Sequence, residues 1–143
     1  MKNFSELLAT DLELDFQLEL EPFHSTLDVE VWLNSQLIYD DLLVFPLTYS
    51  AKLNLLAPID LKICVQGKDY ELDSQAAVLI KTIKIDDFEL TPNWTQLAQY
   101  TNDHNYTDPT THLGFNGVWH YAIDQPFYRW KHKITGQGWL LTP

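Results

Sequence analysis

The sequence predicts an all-β chain, an antiparallel β-sandwich with one or two short helices. Three observations predict it. Apolar and polar residues alternate with period two over most of residues 12–85, the pattern of strands with one face buried. Turn signals recur every eight to twelve residues, which divides the chain into about eight short strands. Neither a strand–helix–strand alternation nor a glycine-rich phosphate loop occurs, so a nucleotide-binding α/β fold is excluded. With 143 residues, the chain is read as one domain, residues 1–143. Regular strands fill 1–90, and a long loop, an aromatic strand and a short helix fill 91–143.

The first strand sets Leu12, Leu14, Phe16, Leu18 and Leu20 against Asp11, Glu13, Asp15, Gln17 and Glu19. Its outer face is therefore acidic. Residues 28–40 read as a hairpin around Asn34-Ser35, with Val29 and Val31 inward and Trp32 outward. Residues 43–49, broken by Pro46, suit an edge strand or a bulge, and 52–56 alternate weakly. Residues 59–66 form a clear strand that ends at Gly67-Lys68, with 68–72 expected to pair behind it. Val78, Ile80, Ile83 and Ile85 belong to one strand. Its parity changes between Ile80 and Ile83, which predicts a bulge near Lys81-Thr82. Asp86-Asp87 turns into 88–90.

Residues 93–100 fit a helical turn or a strand. Residues 100–113 are polar, contain Pro109, and read as a long loop. After a turn at 114–117, Trp119, Tyr121 and Ile123 share one face of a strand and His120 takes the other. Pro126 then starts a short helix with Phe127, Trp130 and Ile134 on one side. The expected core is Leu14, Phe16, Leu18, Val29, Val31, Leu61, Ile63, Val78, Ile80, Trp119, Tyr121 and Trp130.

Charge excludes more than it suggests. The formal net charge of −11 rules against nucleic acid, whose phosphates need clustered Lys and Arg. No apolar run approaches the roughly 18 residues that cross a bilayer. The first residues show no basic-plus-apolar leader pattern, so no signal peptide is expected. Acids concentrate in the first third, whereas residues 91–143 are formally neutral and hold ten of the nineteen aromatics. A neutral aromatic surface is one that meets a partner or a sugar; the plainer reading is that this third supplies the core.

No constellation for catalysis emerges. Cys64 is the single cysteine, which excludes a disulfide framework, and no activating neighbour accompanies it. His120 lacks a nucleophile in sequence. The pairs Asp40-Asp41 and Asp86-Asp87 sit at turns, which aim their side chains apart. The chain is therefore read as no enzyme. Asp103 and Asp108, in a loop that also holds His104 and His112, suit Ca²⁺ weakly, and no tight transition-metal site is expected. The candidate contacts are Trp32, an outward indole among acids, and Tyr106, Trp119, Arg129, Lys131 and Trp139 in the last third. Arg129, Lys131, His132 and Lys133 form the basic cluster there.

Two segments carry a resemblance. IKIDDFEL at 83–90 and LGFNGVWHYAIDQPFYRWKHKITGQGWLL at 113–141 resemble small, mostly uncharacterised β-sandwich proteins of tailed phages, cyanophage-like ones above all. The hairpin LDVEVWLNSQLIYD at 27–40 is similar to that of calcium-dependent xylan-binding modules, although its turn lacks glycine and no calcium ligands match residue by residue. The fold implied is a jelly-roll or carbohydrate-binding-module-like sandwich. The phage resemblance implies a structural or accessory virion protein (decoration, neck, baseplate or fibre-associated), made in the host cytoplasm and docking on other virion proteins or on itself through its aromatic third. The alternative is a carbohydrate-binding module that recognises host or environmental polysaccharide, with Ca²⁺ as an optional cofactor.

Overall fold

In the computed structural model, residues 13–72, 74–91, 93–102, 107–108 and 110–135 are described. Period-two alternation does what it predicts in β1 (Glu13–Phe23): Leu14, Phe16, Leu18 and Leu20 are buried, and Glu13, Asp15 and Gln17 are exposed. Leu12 lies outside the described residues. β1 pairs antiparallel with β4 (Leu47–Asn54) along one side and β6 (Ala77–Ile85) along the other. Opposite Glu19 and Leu20 the register steps from Thr82 to Ile80, so Lys81 is the extra residue of a bulge. The bulge lets Ile80 and Ile83 both point inward, as their parity required.

β2 (Asp28–Leu33) and β3 (Gln36–Leu42) form the expected hairpin. Asn34 and Ser35 both take positive φ, 50° and 67°, the conformation that a two-residue turn needs to match strand twist. Asn34 also grips the start of β5 (Ile59–Gln66): its N–H donates to the Asp60 carbonyl at 2.8 Å, and its Oδ1 accepts from the Asp60 N–H at 2.7 Å. The turn thus gains from hydrogen bonds part of what glycine would have given it in freedom.

Three sequence expectations are corrected. The runs 43–49 and 52–56 contribute to one strand, β4, which starts immediately after Pro46. β4 is an edge of its sheet, so the missing proline N–H leaves no ladder bond unmade. Residues 68–72 do not pair behind β5. The Asp69 carboxylate accepts from the N–H groups of Glu71 and Leu72, at 2.9 and 3.1 Å, and winds this stretch into turns. β5 instead lies between β2 and β11 (Gly117–Ile123). The segment 100–113 is not all loop. It contributes β8 (Gln99–Asn102), β9 (Thr107–Asp108) and β10 (His112–Leu113), which extend both sheets.

With β7 (Phe88–Glu89) on β6, one sheet runs β10–β6–β1–β4 and the other β3–β2–β5–β11–β8–β9. The described residues therefore hold eleven strands; the excess over the sequence estimate is two-residue pieces. A 3-10 turn (Thr95–Leu97) precedes β8, so the helical and extended readings of 93–100 both hold in part. The helix α1 (Phe127–Thr135) begins with Trp130 N–H donating to the Pro126 carbonyl at 3.0 Å, and buries Phe127 and Trp130. No helix among the described residues is long and apolar enough to cross a membrane.

All the expected core residues are buried, and one hydrophobic cluster joins the two sheets. Val31 and Ile63 face each other across β2 and β5, both with 0% exposure. Truncating either to alanine is expected to cost about 2–4 kcal/mol by urea denaturation. A cost below about 0.5 kcal/mol would mean that these strands do not face the core.

The aromatic last third turns inward. Tyr100, Trp119, Tyr121, Phe127 and Trp130 are all buried. Trp119, expected as a contact residue, is corrected: it has 0% exposure because β11 is an interior strand and Trp119 sits on its core face.

Candidate functional site

The outer face of the six-stranded sheet is built by the residues that alternation turns away from the core. Register brings Trp32 on β2 beside Lys62 on β5, and Lys62 beside His120 on β11. The next row reads Glu30, Cys64, Val118. Together with Asp60 and Ser35, these rows, Glu30 excepted, line an open groove of about 520 Å³.

Trp32 is half-buried, and its indole N–H donates to the Glu30 carboxylate at 3.0 Å. That bond runs along the strand, from residue i to i−2, and holds the ring against the sheet. Across the groove His120 Nε2 lies 2.9 Å from Asp60 Oδ1, with the two side chains 40% and 47% exposed. The same Asp60 has its backbone held by Asn34, so the hairpin turn fixes one end of the groove. Between them Lys62 is exposed. The Cys64 thiol forms part of the floor. Burial pushes its pKa up and the Glu30 charge pushes it further, while Lys62 acts in the opposite sense. A thiol held protonated is a poor nucleophile.

The groove thus offers one flat apolar ring, one acid–imidazole pair and one ammonium on a rigid sheet. The ring can take the C–H face of a sugar, and the polar groups can accept from and donate to its hydroxyls.

At a loop end of the sandwich, away from these rows, a second polar assembly ties the chain together. Lys68 is nearly buried, and its ammonium donates to the carbonyls of Ser74 at 3.1 Å and Gly114 at 2.5 Å. The Asn116 side chain brackets the Lys68 backbone, accepting from its N–H at 2.9 Å and donating to its carbonyl at 3.1 Å. Tyr100 stacks on Phe115 with ring centroids 3.9 Å apart and donates its hydroxyl to the Phe115 carbonyl. Burial raises the Tyr100 pKa far above its ordinary value, so the phenol stays a donor.

Among the described residues expected at a site, Trp32 alone lines the groove. Arg129 is exposed on α1. The Lys131 ammonium lies over the rings of Phe88 and Tyr128, at 4.9 and 5.7 Å, and so meets its own chain's aromatics. Asp103, Tyr106 and Trp139 lie outside the described residues, and Asp108 is described by its backbone alone, opposite Tyr100.

No family model matches the chain, and no curated protein does. Solved structures do. vCBM60 in complex with galactobiose matches with a TM-score of 0.52 at 10% identity, over 76% of this chain and 99% of that one. The chain folds like vCBM60. The selenomethionine form of vCBM60 gives a TM-score of 0.51 at 8% identity, over 77% of this chain and 91% of that one. That structure is described as part of a circular-permutation link between two families of calcium-dependent carbohydrate binding modules. The sandwich expected from the sequence is therefore shown, and so is its likeness to a calcium-dependent carbohydrate module. The virion reading finds no support in these comparisons; a carbohydrate-module fold does.

Calcium takes six to eight oxygen ligands, several of them carboxylates. Among the described residues no three of His, Cys, Asp or Glu gather as such a site would need. The loop expected to suit Ca²⁺, at 103–108, lies mostly outside the described residues, and glycan contact is derived below from the groove alone.

Proposed function

We propose that the protein is a non-catalytic carbohydrate-binding module and that the groove beside Trp32 holds the glycan. The observation that carries this reading is the partly exposed indole, pinned by Glu30 and sharing the groove with the Asp60–His120 pair. The likeness to vCBM60, a protein solved with galactobiose, supports the class of ligand. A sugar ring would stack on Trp32 while its hydroxyls meet Asp60, Lys62 and His120.

Titration calorimetry and affinity electrophoresis against galactobiose and a panel of neutral and acidic polysaccharides test the reading. At least one glycan is expected to bind, and Trp32→Ala is expected to weaken it by about tenfold or more, roughly 1.4 kcal/mol. Unchanged affinity in Trp32→Ala would move the site elsewhere, and no retention on any glycan would sink the reading. Repeating the titration with EDTA shows whether calcium takes part.

The resemblance of residues 83–90 and 113–141 to tailed-phage proteins adds a location to the proposal, a glycan-binding module carried by a virion. Mass spectrometry of purified particles tests that location by the presence of this chain at fixed stoichiometry.

A further inference from the structure

The Trp32 groove lies along a row that crosses the sheet. Register sets Leu37, Trp32, Lys62, His120 and Gln99 side by side, from β3 to β8. Adjacent strands lie about 4.8 Å apart, so the backbones at Trp32 and His120 stand about 10 Å apart with Lys62 midway. A ligand stacked on Trp32 and reaching toward His120 therefore passes over Lys62.

The polar groups around the groove are not equally free. The Asp60 carboxylate lies 2.9 Å from His120 Nε2. The Glu30 carboxylate, in the next row, accepts from the Trp32 indole at 3.0 Å. Lys62 is exposed, and among the described residues its ammonium makes no hydrogen bond and no ion pair. Its field reaches the Cys64 thiol on the groove floor, where it opposes the effects of burial and of Glu30. Elsewhere in the sandwich Lys52 and Lys81 are taken up by acids on the neighbouring strand, Asp15 and Glu21. In a chain of net charge −11, with no Lys or Arg from 13 to 50, an uncommitted cation at the middle of the groove is not a default of composition.

A free ammonium discriminates between sugars. A sugar hydroxyl offers it a neutral acceptor, whereas an anionic substituent offers a charge-assisted bond about twice as strong. The two carboxylates restrict where that anion can sit. Glu30 lies on the Trp32 side and Asp60 is turned toward His120, which leaves the space over Lys62. The negative charge of the whole protein opposes a polyanion at long range, but salt screens that repulsion beyond about 8 Å at physiological strength, and contact with Lys62 acts well inside that distance.

We propose that the Trp32 groove selects an acidic glycan, with one sugar ring on the indole and an anionic substituent, a carboxylate or a sulfate ester, on the Lys62 ammonium. This rests on the groove reading above and adds the class of sugar. Trp32 serves any ring that presents a C–H face, and Lys62 is the specificity-determining residue.

Two matched pairs of oligosaccharides are the probes. One is a galacturonate tetrasaccharide and its fully methyl-esterified form, which keeps the backbone and removes the charge. The other is a sulfated galactan tetrasaccharide and its desulfated form. Each is titrated into the full chain by calorimetry. The acidic member of at least one pair is expected to bind tenfold or more tighter than its neutral form, and the pair that shows it tells carboxylate from sulfate. Lys62→Gln is expected to bring that ratio close to one, and Lys62→Arg, which keeps the charge, to preserve it. Lys62 is exposed, so circular dichroism should show both variants folded. The proposal is overturned if the neutral forms bind as tightly as the acidic ones, or if Lys62→Gln leaves the ratio unchanged. In either case a loss of binding in Trp32→Ala leaves the groove reading standing. If none of the four binds while a neutral glycan is retained, this proposal alone falls; if no glycan is retained at all, the groove reading falls with it.

Discussion

Trp119→Ala should cost about 3–5 kcal/mol, a large share of the stability of a domain this size. The side chain has 0% exposure and packs beside Tyr121 with ring centroids 5.8 Å apart. Its removal leaves a cavity in a core that is closed on both sheets. The indole N–H also donates to the Thr110 carbonyl at 2.9 Å, and the next carbonyl, that of Thr111, accepts from Ile80 N–H at 2.9 Å. Losing the indole therefore loosens the segment that ties β10 to β6. Trp119→Phe separates the two contributions. It keeps an aromatic ring and removes the N–H donor, so it should cost clearly less. Urea denaturation measures both. A loss below about 1.5 kcal/mol for the alanine variant would show that the ring is not a core element.

Lys68→Met should cost about 2–3 kcal/mol, and its effect should be local as well as global. The substitution keeps most of the side-chain volume and removes the ammonium. Two carbonyls, of Ser74 and Gly114, then lose a charged donor at a nearly buried position. Asn116 still brackets the Lys68 backbone, so the chain path should survive. The expected result is a lower urea midpoint with faster hydrogen exchange at residues 114–117. Wild-type exchange at those amides would mean that Asn116, not the ammonium, holds the two loops together.

How much of this was legible beforehand follows from what each pattern encodes. Alternation in β1, β2 and β5 fixes which side chains face inward, because the strand period is two whatever the partner strand is. The Lys81 bulge was readable for the same reason, as a change of parity between Ile80 and Ile83. The groove was half legible. Trp32 announced itself as an indole among acids, and Asp60, Lys62 and Cys64 were visibly on the outer face of their strand. That β2, β5 and β11 are neighbours was not legible, since pairing between distant segments leaves no local signature. His120 could only be weighed as an isolated base until β11 was placed beside β5. The aromatic third misled for a related reason. Composition reports how many rings a segment has, and not which way they point; Trp119 and Tyr100 share a low-charge stretch because they fill the core. The Lys68 clasp escaped because a lysine after Gly67 reads as a solvated turn, and its acceptors lie 6 and 46 residues onward.

The position of β11 also sets a timetable. A ribosome delivers β2, β3 and β5 early, and these can pair as soon as they emerge. The far side of β5 must then wait, because Val65 finds its partner only when Gly117 has been made, and Ile59 only when Ile123 has. β1 waits in the same way for β6, whose Ile85 closes on Phe16. Pairings this distant in sequence make folding slow, and a half-made sandwich shows its unclosed β5 flank to every neighbouring nascent chain. Truncation before Gly117 would leave that flank open for good, so β11 is the lock of the fold rather than its appendage.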